Sequence, residues 1–316
     1  MKELQIFHLN YPNDYKIKTE PTSMAVGYFD GVHKGHQEVI NKAIEVAEQQ
    51  NHKRGVMTFH PHPLSVLKGT QLTDFLITSL DEKIELFNQM DIDYLYIVEF
   101  NKDLAKLSPN EFVDKFFVDL NVKHVVGGFD FSFGHKGSGK IQQMDEYAGD
   151  RLTYSVVNKV TFEDEKISST RIRETLDHGE MDLTEKLLGR PFSISAEVIK
   201  GHQRGRTIGY PTANLDISVE HKLPKVGIYA VRASVNGQRY FGMANIGYNP
   251  TFTNDIQRPI VEVYLFEFNK DIYGEIIEVE FYKYIRNEEK FNDVESLIER
   301  MKEDEKETKK FFQIQT

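Results

Sequence analysis

Short apolar runs alternate with stretches of helical periodicity through the first half of the chain. The run at 24–26 is followed by apolar residues at helical spacing from Val39 to Ala47. Further strands are predicted at 55–59, 94–100, 124–129 and 152–157, with helices at 81–90, 109–120 and up to residue 148. This alternation predicts an α/β domain: a Rossmann-like, doubly wound parallel sheet with its ligand crevice at the carboxyl ends of the strands.

The pattern changes near Gly189, after a short predicted helix at 181–188. From Phe192 apolar and polar residues alternate, and Asn236-Gly237 between two such runs signals a type I′ hairpin. The runs at 261–268 and 275–284 predict another antiparallel pair, and only 292–311 is helical again. The second half therefore predicts an all-β domain, a small antiparallel barrel with a terminal amphipathic helix. We predict domains at residues 1–186 and 187–316.

Composition limits the classes of protein to which the chain can belong. Its 316 residues are 40% hydrophobic, enough for two cores, and the formal net charge of −10 argues against a nucleic-acid-binding surface. The absence of cysteine excludes disulfides and thiolate catalysis. No apolar run has the form of a signal peptide or a membrane helix. These features predict a soluble cytoplasmic protein with neither a nucleic-acid nor a membrane partner; they leave self-association open.

A glycine-rich turn between the first predicted strand and helix carries the first candidate chemistry. Gly27, Gly31 and Gly35 allow a tight turn, and the N-terminus of the following helix suits a phosphate. His33 and His36 lie at the same helix end and can donate hydrogen bonds to phosphoryl oxygens. Alone, the pair could equally be surface histidines or half of a metal site. The zinc-protease form of such a site is weak, because no Glu follows His33.

Other polar groups follow later strands. In the segment 167–173, Ser169 or Thr170 can cap a helix whose positive end gathers two arginines, although taken alone an ordinary cap is the simpler interpretation. His62 is more often a loop residue than a ligand, and the aromatics of 129–133 are either core or a surface for a ring system. The segment 134–140 has P-loop spacing, but Ile141 replaces the required hydroxyl, so we interpret it as a mobile loop.

The second half has its own phosphate-binding pattern, Gly-x3-Gly-x3-Gly-x-Pro-Thr-x-Asn, at 201–214. The glycines predict a loop able to wrap a phosphate chain, with Arg204 and Arg206 supplying charge. Thr212 and Asn214 are two residues apart on an extended segment and offer two neutral oxygens, which is compatible with Mg²⁺ on a nucleotide. A structural turn is the alternative, and the elaborate spacing argues against it.

The motif Phe29-Asp30-Gly31-x-His33-x-Gly35-His36 resembles the signature of the nucleotidyltransferase superfamily, and 167–173 resembles its second signature. The resemblance implies that His33 and His36 stabilise the α-phosphoryl group of ATP in the transition state. It also implies that three residues of the second signature hold the β- and γ-phosphates. The implied ATP site comprises Gly27, Phe29, Asp30, Gly31, His33, His36, Ser169, Thr170 and Arg173.

Over its full length the chain resembles the prokaryotic bifunctional riboflavin kinase/FAD synthetase family. The segments that carry this resemblance are 211–214, 227–230, 245–252, 261–264 and 284–286. The resemblance implies Glu262 as the general base of the kinase and Arg286 as a flavin-binding residue. The implied ATP site of the kinase comprises Gly201, Arg206, Gly209, Thr212, Asn214 and Asn245, and the FMN site of the other domain His62, Asp130 and Phe131. At Asp130 many relatives carry asparagine, and at Tyr248 another aromatic residue is common.

The resemblance implies two reactions on one chain. Riboflavin and ATP would give FMN and ADP in the barrel, and FMN with a second ATP would give FAD and pyrophosphate in the N-terminal domain, with Mg²⁺ as cofactor. Two alternatives remain open: a nucleotidyltransferase for a different acceptor, and a flavin-binding regulator that keeps the fold without turnover.

Overall fold

The computed structural model describes residues 3–12, 17–201, 205, 208–248 and 258–314. The chain divides into two compact units, Met1–Leu72 with Leu76–Ser169, and Thr73–Phe75 with Thr170–Thr316. The domain boundary that we place between residues 186 and 187 stays a prediction. No helix within the described ranges is both long enough and apolar enough to cross a membrane.

The first unit contains a six-stranded parallel sheet in the order β1-β4-β3-β2-β5-β8. From β2 the chain proceeds through β3 and β4 on one side and then through β5 and β8 on the other. The switch point of this doubly wound sheet therefore lies between β2 and β5. The strands are β1 (Gln5–Leu9), β2 (Thr22–Val26), β3 (Lys53–His60), β4 (Tyr94–Glu99), β5 (Val122–Gly128) and β8 (Thr153–Val157).

Helices cover both faces of this sheet, as the alternating pattern predicts. Met24 and Val26 of β2 belong to one hydrophobic core and Ala25 to the other, because successive side chains of a strand point to opposite faces. The helices are α1 (Lys34–Gln50), α2 (Pro63–Lys68), α3 (Leu80–Gln89), α4 (Pro109–Val113) and α5 (Met144–Ala148). Short strands are β6 (Ser132–Phe133), β7 (Gly139–Lys140), β9 (Thr161–Phe162) and β10 (Glu165–Lys166).

An edge strand and a π-helical turn are among the details that differ from the pattern-based prediction for this unit. The strand β1 was not predicted, because at the edge of the sheet only Leu9 of its residues is fully buried and no clear periodicity results. The predicted helix at 109–120 begins as α4 but continues as a π-helical turn over Asp114–Val118. Within this turn the neighbouring rings of Phe116 and Phe117 are both fully buried.

The second unit is a closed six-stranded barrel, with all strand pairs antiparallel, in the order β11-β12-β15-β14-β13-β16. The all-β prediction is confirmed, and Asn236 and Gly237 have the positive φ values, 49° and 76°, of the type I′ hairpin. The elements are α6 (Ser169–His178), α7 (Met181–Leu188), β11 (Phe192–Ile199), β12 (Ala213–Asp216), β13 (Gly227–Val235), β14 (Gln238–Tyr248), β15 (Pro259–Leu265), β16 (Ile276–Arg286) and α8 (Val294–Phe312).

The predicted pairing of the two strands near 261–268 and 275–284 is wrong. Both strands exist, but β15 pairs with β12 and β14, whereas β16 pairs with β11 and β13. A strand has two hydrogen-bonding edges, and in this closed barrel both edges of each strand are already occupied. The connection over 266–275 is therefore a crossover and not a hairpin.

The terminal amphipathic helix α8 packs on the barrel. Met301 packs against a small cluster formed by Tyr210, Met243 and Phe266. The buried residues of α8 are Asp304 and Thr308, whereas Val294 is 52% exposed.

Candidate active sites

The turn after β2 is held by hydrogen bonds to other residues of the first unit. Asp30 is 3% exposed, and its Oδ1 accepts hydrogen bonds from the backbone N–H groups of Ile77 and Thr78 at 2.9 and 3.3 Å. The N–H of Gly31 donates to the Thr78 hydroxyl at 3.0 Å. Phe29 adopts a φ of 57°, which is strained for a residue other than glycine, and these hydrogen bonds hold its backbone in that conformation. Asp30 thus anchors the turn at the switch point of the sheet.

Position 27 requires glycine because the Phe29 ring occupies the space where a side chain would begin. A Cβ there would lie 2.9 Å from Cε1 of Phe29, closer than a real Cβ contact. The Phe29 ring packs edge-on against His36, with centroids 5.3 Å apart, and against Phe87. The motif therefore packs its own aromatic ring beneath one of its histidines.

His33 and His36 stack at the N-terminus of α1. Their ring centroids are 3.5 Å apart with an interplanar angle of 17°. His33 is the N-cap of α1, and its Nδ1 accepts a hydrogen bond from the His36 N–H at 3.2 Å. Nδ1 of His36 is buried and has no hydrogen-bond partner among the described residues. The helix N-terminus and the two rings together form a cradle suited to an anion.

The electrostatics of this cradle keep His36 neutral. Burial lowers the pKa of His36 well below its usual 6.5, and the neighbouring His33, Lys83 and Lys166 lower it further. At pH 7 the ring is therefore an uncharged imidazole with one N–H donor. A bound phosphate would bring negative charge to this position and favour the protonated ring.

The residues of the second signature fall on both sides of the division between the units. Ser169, in the first unit, donates its hydroxyl hydrogen bond to the backbone oxygen of Asp30 at 2.9 Å, so it joins the motif directly. In the second unit Arg173 donates from Nε to the Phe75 oxygen at 2.7 Å, and its guanidinium lies 3.8 Å from the Phe75 ring centroid. Roles for Thr170 and Arg173 at the triphosphate stay predictions.

The predicted FMN residues lie after β3 and β5, the two neighbours of β2. His62 caps α2 by accepting a hydrogen bond from the Leu64 N–H at 3.0 Å, and its ring meets Tyr28 edge-on at 4.1 Å. Asp130 forms an ion pair with Lys166 at 2.5 Å. Phe131 is half-buried against the core. Their positions surround the switch point, and their contact with FMN stays a prediction.

In the second unit a cavity of about 350 Å³ lies between the outer face of the barrel and α8. Along β15, Val261 and Val263 are buried, whereas Glu262 between them is half-buried and lines this cavity. Strand register places Asn214 of β12 and Asn245 of β14 on either side of Glu262. The cavity is also lined by Gly205, Thr212, Ile228, Ile260, Tyr264, Arg286, Glu288, Phe291, Leu297, Met301 and Asp304.

A second cavity of the same volume adjoins the first through Thr212, which lines both. Its other lining residues include Val198, Pro211, Val263, Leu265, Phe268, Lys270, Ile272 and Tyr273. The first cavity thus holds the Glu262 carboxylate and the Asn245 amide among other polar groups, and the second is largely aliphatic and aromatic. A group transferred from a molecule in one cavity to a molecule in the other would pass Thr212.

The predicted phosphate loop is described only in part. Arg206 lies outside the described residues. A Cβ at Gly201 would lie 2.2 Å from Nδ2 of Asn214, so only glycine leaves room for that amide. Gly209 adopts φ 86°, a conformation that favours glycine.

Three polar residues of the first cavity differ in their hydrogen bonding. Arg286 forms an ion pair with Asp304 of α8 at 2.7 Å, and the two side chains are 10% and 4% exposed. Oδ1 of Asn245 is buried without a hydrogen-bond partner among the described residues. An acceptor in this state is available to a hydroxyl or N–H group of a ligand.

Comparison with known proteins follows the division of the chain. Residues 16–171 match the family model described as FAD synthetase, and residues 188–312 match that described as riboflavin kinase. The bifunctional riboflavin kinase/FMN adenylyltransferase of Bacillus subtilis is 44% identical over 98% of both chains. That of Listeria monocytogenes is 45% identical over 92% of both. The chain belongs to the bifunctional riboflavin kinase/FMN adenylyltransferase family.

A solved structure supports the same arrangement of elements. A protein from Streptococcus pneumoniae described as a macrolide-efflux protein is 35% identical and covers 96% of this chain, which in turn covers 98% of it, with a TM-score of 0.86. The agreement extends over both the FAD synthetase domain and the riboflavin kinase domain.

Sequence patterns alone did not identify several residues of these two domains. Lys83 lies four residues before buried Phe87 on α3, and a lysine at an apolar position of a helix was the available signal. Lys166 precedes the second signature and has no motif of its own. In the riboflavin kinase domain Asp304 was hidden within the highly charged terminal helix, where most acidic residues face solvent.

Proposed function

We propose that the chain makes FAD from riboflavin in two steps, one in each domain. The riboflavin kinase domain transfers the γ-phosphoryl group of ATP to the ribityl 5′-hydroxyl of riboflavin, giving FMN and ADP. The FAD synthetase domain transfers AMP from a second ATP to FMN, giving FAD and pyrophosphate. The substrates are small molecules of the cytoplasm, which is where we propose that the protein works.

The observation that carries the kinase step is the position of Thr212 between two cavities, with Glu262 in one of them. We place the flavin beside Glu262 and the nucleotide in the aliphatic cavity. Glu262 accepts the proton of the 5′-hydroxyl as its oxygen forms a bond to the γ-phosphorus and the bond to the ADP oxygen breaks. Arg286 orients the flavin, Asn245 contributes to the ATP site, and Gly201 and Gly209 shape the loop over the phosphates.

The oxygens of Thr212 and Asn214 fit magnesium. Mg²⁺ on a nucleotide takes few protein ligands and receives the others from phosphates and water, so two neutral oxygens are an adequate protein contribution. The missing Cβ of Gly201 provides the space in which the Asn214 amide lies. Bound magnesium would neutralise charge on the phosphates during transfer.

The adenylyl-transfer step needs no protein base, because the FMN phosphate is ionised at neutral pH. Its oxygen attacks the α-phosphorus, and the bond to the departing pyrophosphate breaks. His33 and His36 donate hydrogen bonds to the α-phosphoryl oxygens as charge develops. Gly27, Phe29, Asp30 and Gly31 set the turn, and Ser169, Thr170 and Arg173 bind the β- and γ-phosphates.

A time course tests both steps at once. Purified protein is incubated with riboflavin, ATP and magnesium, and the flavins are separated by chromatography. FMN should appear first and FAD after it. FMN without FAD, also when FMN is supplied directly, would contradict the adenylyl-transfer step and point to a different acceptor. Binding of flavin without any turnover would instead support a regulator.

A further inference from the structure

Lys83 is a buried cation beneath the turn that carries the two histidines. The residue lies on α3 and is 1% exposed. Its Nζ donates a hydrogen bond to the Tyr28 oxygen at 3.3 Å and lies 4.2 Å from the centroid of the Tyr28 ring. The Thr58 hydroxyl donates to the same oxygen at 2.9 Å. Two donors thus converge on the peptide that leads into Phe29.

The charge of this ammonium is poorly compensated. Among the described residues no carboxylate forms an ion pair with Lys83, and Oδ1 of the nearby Asp30 is already bound to backbone N–H groups. Burial lowers the pKa of Lys83 to about 8, and the Asp30 charge opposes this only in part. Burying an ammonium without a paired anion is unfavourable, so a fold retains such a group only if something else requires it.

Several titratable groups face His36 from the elements around it. His33 lies on the same helix end, Lys83 on α3 and Lys166 on β10, and each lowers the pKa of His36. The charge of Lys166 is balanced by Asp130 at 2.5 Å. Within the part of the chain that the structure describes, Lys83 has no such partner. It is therefore a buried positive charge near the motif that no ion pair balances there.

We propose that Lys83 is a positioning residue of the adenylyl-transfer site, which fixes the Tyr28 carbonyl beneath the turn and supplies buried positive charge to the phosphates bound there. This inference rests on the proposed function of the FAD synthetase domain. A bound triphosphate would supply negative charge to compensate the buried ammonium of Lys83. A fixed ammonium in a region of low dielectric stabilises that anion without rearrangement on binding.

The test compares substitutions that remove the charge with one that removes only a hydrogen bond. Lys83→Met removes both the charge and the donor, Lys83→Gln keeps a neutral donor, and Thr58→Val removes the other donor to the same carbonyl. The measurements are kcat and KM for FMN adenylylation, the riboflavin kinase rate, the melting temperature, and the pKa of His36 in the free protein by NMR.

Both Lys83 variants should raise the pKa of His36, because a nearby like charge is lost, whereas Thr58→Val should leave it unchanged. FMN adenylylation should fall by about tenfold or more in both, chiefly through a higher KM for ATP, with the kinase rate retained. The melting temperature of Lys83→Met should not decrease, because an unpaired buried charge has been removed. In the wild type ATP binding should weaken as the pH rises through about 8, where free Lys83 loses its proton, and Lys83→Met should lack this dependence.

Equal effects of Lys83→Met and Thr58→Val with an unchanged pKa of His36 would overturn the proposal and leave Lys83 as a structural donor. A loss of melting temperature together with retained adenylylation in the folded fraction would do the same. If the wild type does not adenylylate FMN, the proposed function fails. The pKa of His36 and the pH dependence of ATP binding still decide the role of Lys83, since neither requires turnover.

Discussion

In the FAD synthetase domain the candidate catalytic groups come from one stretch, residues 27–36, between a strand and a helix. In the riboflavin kinase domain they come from separate strands, with Asn214, Glu262 and Asn245 brought side by side by register. A parallel sheet places its loops at one edge, so a single loop can form most of a site. A barrel instead presents side chains on the outer face of its strands and needs α8 to close the cavity.

This difference also separates the electrostatic properties of the two sites. The motif of the FAD synthetase domain is surrounded by positive groups that keep His36 neutral until an anion arrives. The kinase cavity contains a carboxylate at Glu262 and an internal ion pair between Arg286 and Asp304. In the proposed mechanism the first site stabilises charge on a phosphoryl group, and the second also uses Glu262 to accept a proton. Each site should therefore fail separately when its own group is changed.

The largest difference between the effects on the two activities is expected from Glu262→Gln. This change removes the base while keeping the shape of the side chain, and riboflavin phosphorylation should fall by about a thousandfold. FAD should still form when FMN is supplied. Glu278→Gln on the exposed face of β16 is the matched control and should leave both rates unchanged. Undiminished phosphorylation in Glu262→Gln would remove Glu262 from the role of base.

The reverse separation is expected from His36→Ala. Loss of this donor at the α-phosphoryl group should lower FAD formation from FMN by about 300-fold, with FMN formation from riboflavin retained. His8→Ala, on the exposed part of β1, serves as the control. If His36→Ala abolished both activities while the protein stayed folded, the two sites would not be separable as the comparison requires.

The sequence predicted the first site better than the second because contiguous residues share a local conformation. The glycines, the strand before them and the helix after them identify the turn without any knowledge of the tertiary fold. Asp30 and Ser169 also belong to recognisable motifs. The hydrogen bond from the Ser169 hydroxyl to the backbone oxygen of Asp30, however, depends on the tertiary fold. Lys83 contacts the turn from α3, too far along the sequence from the turn for any local sequence pattern to include both.

Barrel closure explains why the second half was harder to predict. Local alternation identified the strands and the Asn236-Gly237 hairpin, but not which strands pair across long connections. The error concerning β15 and β16 arose because adjacency in sequence was taken for pairing, whereas closure assigns their edges to other strands. Glu262 was correctly placed on a strand. That Asn214 and Asn245 lie beside it, however, follows only from how the closed barrel pairs its strands.

A smaller effect, on stability, is expected from Asp304→Asn. The change leaves Arg286 as a buried charge without its main partner, and the free energy of unfolding of the riboflavin kinase domain should fall by about 3 kcal/mol. Denaturant unfolding followed by circular dichroism measures this. Glu303→Gln on the same helix is the control: its carboxylate is 66% exposed beside Arg300, so its removal should change stability by less than about 0.5 kcal/mol. Equal effects of the two substitutions would mean that the Arg286–Asp304 pair does not fasten α8 to the barrel.

The smallest effect concerns the charge balance at the FAD synthetase domain. Lys166 pairs with Asp130, so Lys166→Met leaves a carboxylate beside the carboxyl end of β5, where we propose that phosphates bind. Because both side chains are partly exposed and screened, kcat/KM for FMN adenylylation should fall by only about fivefold. Adding Asp130→Asn should restore most of the loss, since the repulsive charge is then absent as well.

The double substitution distinguishes balance from direct binding. If Lys166 itself bound the phosphate, Asp130→Asn would not rescue Lys166→Met, and the two effects would add. Lys115→Met, which breaks the exposed pair of Lys115 with Asp119, removes a similar surface charge elsewhere and should change nothing. The pKa of His36 should rise in Lys166→Met, because Lys166 is one of the charges that lower it. Rescue together with that shift would show that the first site depends on the charge balance of the Lys166–Asp130 pair beside its single motif, unlike the cavity of the barrel, which neighbouring strands form together.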